Sequence, residues 1–182
     1  MRPMRGLENL DMSKSVEKHH QDAPNALRIG VMTISDTRTI ETDTSGALIV
    51  QLIEEAGHIV VERVIVPDEP SLMIPVLERW RQQTELHAGL LTGGTGISPR
   101  DQTYETVSAL LTKPLPGYGE LFRMLSYTEI GPATILSRAV GGMIDQLVVL
   151  VMPGSRAAVS LAMNKIILPE LGHLVGEARK QN

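Results

Sequence analysis

Short, dense apolar runs alternate along the chain with longer stretches in which apolar positions recur every three or four residues. The dense runs at 27–34, 59–66 and 89–92 are rich in Val, Ile or Leu and end in small or charged residues. Such runs predict strands buried on both faces. Between the first two, the cap-type residues of 42–46 precede Leu48, Ile49, Leu52, Ile53 and Ala56, which share one helical face, and Gly57 closes the helix. Leu72, Val76, Leu77 and Trp80 define a second helix, in which Pro75 is tolerable only near the start. A β-α-β-α-β order calls for right-handed crossovers and a parallel sheet, with ligands beyond the carboxyl ends of the strands.

Helical spacing continues over 103–111 and resumes at Leu121, Phe122, Met124 and Leu125, with a stiff Pro/Gly-rich turn at 113–120 between them. Two further β-like runs, 133–140 and 146–151, flank 141–145, which reads as a hairpin connection. A last helix carries Val159, Met163, Ile166 and Ile167, and Pro169 is expected to interrupt it. The fold class expected is α/β: a three-layer α/β/α arrangement around a mostly parallel, doubly wound sheet with a short antiparallel hairpin. Residues 1–26 follow neither hydrophobic period and read as a flexible leader, leaving 27–182 as a single domain.

Composition narrows the function classes. The net charge of −4 disfavours general attraction to nucleic acid or anionic membranes, so a phosphorylated ligand must be small and locally neutralised. The absence of cysteine excludes disulfides, thiolate metal sites and Cys nucleophiles. No apolar run approaches the ~18 residues of a membrane span, and a cytoplasmic protein is expected. His58, His87 and His173 fall in separate elements, which gives none of them a catalytic role; His19 and His20 lie in the leader.

The chemistry concentrates at the strand ends. Gly93, Gly94 and Gly96 follow a buried strand and precede a helix, so their N–H groups can converge on one phosphate beside the positive end of the helix dipole. Thr95 adds a hydroxyl, Arg100 a fork of donors and Asp101 a carboxylate. Neither common nucleotide fingerprint is present. Asp36 and Asp68 fall at the same predicted edge as Asp101, and the three acids with spare arginines at 100, 123, 138 and 156 describe a site for Mg²⁺ plus phosphates. Each acid also fits a plainer role, as turn former or helix cap. Ser155 fits a phosphate contact or an N-cap, Glu120 a cap or a ligand acceptor, and Arg138 a sheet edge or an anion site.

Ser35-Asp36, the 42–46 segment, Pro67-Asp68-Glu69, the 92–96 turn, Arg100-Asp101, the 116–120 segment, Leu136-Ser137-Arg138 and Met152-Pro153-Gly154-Ser155 occur in an order that resembles the MoaB/MogA family of molybdenum cofactor biosynthesis. The resemblance spans about 27–174, and the segments 122–126 and 129–131 look closer to the MoaB branch. Arg156 stands where relatives often carry proline or a small residue. The resemblance implies a molybdopterin-binding fold assembled as a homotrimer or a dimer of trimers. It also implies transfer of AMP from Mg-ATP to molybdopterin, with Asp68 and Asp101 as the catalytic acids and Mg²⁺ holders. Ser35, Asp36, Gly93, Gly94, Thr95, Gly96, Glu120, Ser137, Arg138, Gly154 and Ser155 would then line the substrate and phosphate pocket. The competing function is that of a non-catalytic molybdopterin-binding or carrier protein.

Overall fold

The computed structural model describes residues 26–180, so all but the last residue of the expected leader lies outside the described residues. Strand β1 (Arg28–Ile34) is followed by helix α1 (Thr44–Glu55), β2 (Ile59–Val66), α2 (Pro70–Gln82) and β3 (Ala88–Thr92). Then come α3 (Thr103–Leu110), a two-residue strand β4 (Lys113–Pro114), α4 (Pro116–Ile130) and a 3₁₀ segment, Gly131–Leu136. The hairpin strands β5 (Val140–Ile144) and β6 (Leu147–Met152) lead into α5 (Arg156–Ala162) and, through a π-helical turn, α6 (Leu168–Ala178).

The six strands lie in the order β2-β1-β3-β6-β5-β4. β2, β1, β3 and β6 are mutually parallel, and β5 runs antiparallel to both neighbours. Alternate side chains of the central strands feed two cores. On one face Ile29, Val31, Leu90, Leu150 and Met152 meet Ile49, Ile53, Phe122 and Ile167 from α1, α4 and the π-turn. On the other, Met32, Leu91, Val149 and Val151 meet Met73, Leu77, Trp80 and Val107 from α2 and α3. Two helical layers around a largely parallel sheet are the three-layer α/β class expected from the strand-helix alternation.

The Trp80 indole lies against β1 and β3, where Gly30 and Gly89 give it room. A β-carbon at Gly30 would stand 2.7 Å from the ring. Its Nε1 donates to Glu62 on β2 at 2.6 Å, so the one buried indole is also satisfied. At the amino ends of the strands, His58 Nδ1 accepts the Leu27 amide at 3.3 Å and His87 Nδ1 accepts the Arg28 amide at 2.8 Å. Both imidazoles fix the entry of the chain into β1. Burial depresses the His58 pKa; burial, then the charges of Arg179 and Arg28, depress that of His87.

Several expectations need correction. Of the run 133–140 only Val140, the first residue of β5, is strand: Pro132 helps turn 131–136 into 3₁₀ helix, and Ile135 remains 82% exposed, which no two-faced strand would allow. The expected connection 141–145 is mostly β5 itself, with the turn reduced to Asp145 (φ 55°) and Gln146. Gly141 and Gly142 serve there because β-carbons would strike Leu150 at 2.5 Å and the Lys113 carbonyl at 2.4 Å. Pro75 sits well inside α2, which begins at Pro70, and is exposed, so the hydrogen bond it forgoes lies on the solvent side. The interruption expected at Pro169 takes the form of the π-helical turn 163–167, in which the Leu168 amide reaches back to Met163 O before the α-helix resumes. The 113–120 stretch is a turn only in part, since it contains β4 and the first residues of α4.

Candidate ligand-binding site

The turn after β3 is shaped by what packs against each glycine. Gly93 adopts φ 107°, donates its N–H to Met152 O, and lies so close to β1 that a β-carbon would stand 2.2 Å from Ile34 O. Gly94 adopts φ 61°, and a β-carbon there would stand 2.3 Å from Asp68 Oδ2 and 2.0 Å from Thr103 Oγ1. At Gly96 the obstacle would be Asp101 Oδ2, at 2.6 Å. Only glycine combines these angles with such close approach. The two carboxylates therefore converge on the same turn from different loops.

Asp68 is 5% exposed. Its Oδ1 accepts from Thr103 Oγ1 at 2.9 Å and its Oδ2 from the Gln102 amide at 3.2 Å. Burial raises its pKa; the Thr103 and Gln102 donors pull it back, and the negative charge of Asp101 adds to the rise. Asp101 Oδ2 accepts the Ser98 amide at 2.9 Å, while Oδ1 has no partner among the described residues. Asp101 is thus the less engaged of the two acids. Neither is the side-chain cap of α3: the N-cap is Gln102, and it is Asp68 that takes up the Gln102 amide.

Asp36 joins this group from the β1 loop. Its Oδ1 accepts the Asp68 amide at 3.3 Å, and both its oxygens are held by Arg100, at 2.6 and 2.8 Å. That guanidinium holds the Asp36 carboxyl below its ordinary value. Arg100 also reaches Glu69 at 3.3 Å, so the loops after β1, β2 and β3 are stitched by one arginine. The amides of Gly94, Thr95, Gly96 and Ile97 have no hydrogen-bond partner among the described residues. Four successive unpaired amides beside a helix start are donors available to an anion.

The other expected site residues fall into neighbouring recesses. Ser35, Gly93 and Gly154 line a cavity of about 180 Å³ with Arg38 and Ser45. There Ser35 Oγ accepts the amides of Thr37 and Arg38, and Ser45 Oγ donates to Gly154 O at 2.8 Å. Ser155 is the N-cap of α5, accepting the Ala158 amide at 3.2 Å, and with Ser137 it borders a recess of about 90 Å³. Glu120 lines a third cavity of about 290 Å³ with Tyr104, Ser108 and Arg123. None of these three recesses is lined by Asp68 or Asp101.

Arg138 pairs with neither Asp68 nor Asp101. Its Nε donates to Thr95 O at 3.0 Å, Nη2 to Gly96 O and Nη1 to Glu105, with Tyr104 beneath the guanidinium at 5.0 Å. It therefore grips the turn rather than facing its free amides. Thr103, Tyr104 and Glu105 escaped notice in the sequence, although a hydroxyl and a carboxylate in the first turn after a glycine loop are signals for such contacts. Among the described residues no group of three or more His, Asp or Glu side chains is arranged to hold a metal ion. No helix among them is long and apolar enough to cross a membrane.

The glycine turn and paired acids lie at the carboxyl edge of a doubly wound α/β sheet, which is where proteins of this class bind their ligands. The match to the probable molybdopterin binding domain family over residues 30–173 identifies the member: the chain belongs to the MoaB/MogA family. It is 51% identical over 167 residues to molybdenum cofactor biosynthesis protein B of Bacillus subtilis, covering 91% of this chain and 98% of that one. A crystal structure of a molybdenum cofactor biosynthesis protein B matches with a TM-score of 0.84 at 51% identity, covering 87% of this chain and 99% of the other. The tungsten cofactor synthesizing protein MoaB from Pyrococcus furiosus matches with a TM-score of 0.77 at 35% identity, over 87% and 100% of the two chains.

Proposed function

We propose that the protein acts in molybdenum cofactor biosynthesis by transferring AMP from Mg-ATP to the terminal phosphate of molybdopterin. The observation that carries this is the convergence of Asp68 and Asp101 on Gly94 and Gly96, beside four unpaired amides. In the transfer, an oxygen of the molybdopterin phosphate attacks the α-phosphorus in line, the bond to the β-phosphate oxygen breaks, and pyrophosphate leaves. Two anions must be brought together, so the site's task is positioning and charge cancellation. The amides of 94–97 hold phosphate oxygens, and the cavity lined by Ser35, Arg38, Ser45 and Gly154 takes the adjoining group.

The donor set fits Mg²⁺ that arrives with the nucleotide. Asp101 offers a free carboxylate oxygen and Asp68 a second oxygen nearby, while phosphates and water complete the oxygen shell that Mg²⁺ prefers. Bound there, the ion would neutralise charge on the phosphates. Incubation of the purified protein with molybdopterin, Mg²⁺ and ATP, followed by detection of adenylated molybdopterin and pyrophosphate, tests the proposal. A complete lack of both products with retained molybdopterin binding overturns it.

One observation favours a second function. Both oxygens of Asp68 are already engaged by Gln102 and Thr103, which suits a molybdopterin-binding or carrier protein without transfer. The same assay separates the two.

A homotrimer or dimer of trimers is part of the proposal. Leu121, Met124, Tyr127 and Ile130 form a stripe along α4, continued by Ile135 and Leu136, and all six are exposed. An apolar face of this extent calls for a partner surface. The double variant Met124→Glu/Tyr127→Glu is expected to sediment as a monomer where the wild type sediments as a trimer or hexamer; unchanged sedimentation would place the contact elsewhere.

A further inference from the structure

We infer that Arg138 is a positioning residue that sets the phosphate-facing side of the glycine turn by gripping its opposite side, and that it does not touch the phosphate. The inference rests on the phosphate-binding role proposed for the turn. Its basis is the geometry of the peptide group. In a trans peptide the C=O of one residue and the N–H of the next point in opposite directions, and the described chain contains no cis peptide. Arg138 Nε and Nη2 draw the carbonyls of Thr95 and Gly96 to one side. The amides of Gly96 and Ile97 are therefore turned to the other side, and these belong to the four unpaired amides of the turn. In a flexible Gly-containing loop, adjacent peptide planes rotate freely unless something holds them. Here the planar guanidinium holds two at once.

The surroundings of Arg138 argue against a direct charge contact. Its third donor group, Nη1, pairs with Glu105, so its charge is already compensated within the protein. Its face lies over Tyr104, which fixes the plane of the fork. Tyr104 and Glu105 belong to α3, the helix that follows the turn. The arginine thus fastens the turn to that helix.

A lysine keeps the charge but lacks the flat, spaced donors needed for both carbonyls. This difference separates the two roles. Arg138→Lys and Arg138→Met are both expected to speed hydrogen exchange at the bonded amides of this loop, those of Gly93, Ser98, Asp101 and Gln102, by about tenfold or more, with wild-type rates retained in β1 and α6 as the folding control. Both should weaken binding of inorganic pyrophosphate by about tenfold, the effect of losing a charge-assisted donor pair. Millimolar guanidinium ion should restore binding to Arg138→Ala, whereas methylammonium should not. Near-wild-type pyrophosphate binding by Arg138→Lys but not Arg138→Met would make Arg138 a charge ligand and overturn the inference, as would unchanged exchange in the turn. Loosened exchange in the variants, with no pyrophosphate binding by the wild type, would leave the clamp standing and remove the phosphate role of the turn.

Discussion

Asp101→Asn is expected to lower adenylyl transfer by roughly three orders of magnitude while shifting the melting temperature by no more than about 2 °C. The two effects separate because the two carboxylate oxygens of Asp101 do different work. Oδ2 accepts the Ser98 amide and closes the turn at 98–101, and the amide oxygen of an asparagine can take over that bond. Oδ1 has no partner among the described residues and, in the proposed transfer, is the oxygen offered to the ion and the phosphates. Replacement by an amide removes the negative charge without a change of shape, so the fold keeps its contacts and the transition state loses its partner. The substitution also removes the charge that adds to burial in raising the Asp68 pKa. Measured turnover of molybdopterin and ATP beside a thermal melt checks both halves; unchanged turnover would end the catalytic assignment.

The largest stability loss is expected at Asp43, a residue outside the acid pair. It is 3% exposed and caps α1, with Oδ1 accepting the Gly46 amide at 2.8 Å. Oδ2 accepts from Thr33 Oγ1 at 2.7 Å and pairs with Arg63 at 2.9 Å. Asp43→Ala strands these donors beside an uncompensated, largely buried guanidinium, and should cost about 3–5 kcal/mol in denaturant unfolding. Burial pushes the Asp43 carboxyl up, but Gly46, Arg63 and Thr33 outweigh it and hold it below the ordinary value. A depressed folded value means that this contribution is complete above the unfolded carboxylate value of about 3.9 and is lost as pH falls through the folded one. The wild type should therefore lose stability more steeply than the variant below about pH 4. A variant within about 1 kcal/mol of wild type would show that the network is not a keystone of α1.

The parts of the fold legible in the sequence were those with strong local signals. The expected strand at 59–66 coincides with β2, because β-branched residues fill it and prolines follow it. The expected helix from Thr103 ends within a residue of α3. Legibility failed where tertiary contact overrode local preference. Gly141 and Gly142 read as turn formers, yet they are strand because Tyr118, Leu150 and Leu111 crowd the sheet there. The run from Ala133 to Leu136 has β-forming residues but no sheet edge to join, and its exposure suits a surface segment.

At the candidate site, the glycine turn and the acids were visible because they are contiguous motifs at strand ends. The roles within the motifs were less visible. Arg100 and Arg138 are both engaged by protein atoms, Arg100 by Asp36 and Glu69 and Arg138 by Glu105 and loop carbonyls. Sequence spacing cannot show which partner a long cationic side chain finds across 40 or more positions, as between Arg138 and Thr95.

The two histidines that precede β2 and β3 and hold the entry into β1 give the molecule unequal ends in mild acid. Each accepts a backbone N–H through Nδ1, and a protonated imidazole has no lone pair left for that purpose. Their depressed folded values mean that this tethering is intact above the ordinary imidazole value of about 6.5 and is lost as pH falls through the lower ones. Fraying in a mildly acidic medium would then begin at the rear of the sheet, where Leu27 and Arg28 enter it, and not at its carboxyl edge. Proton NMR of the Leu27 and Arg28 amides across that range would follow the loosening residue by residue.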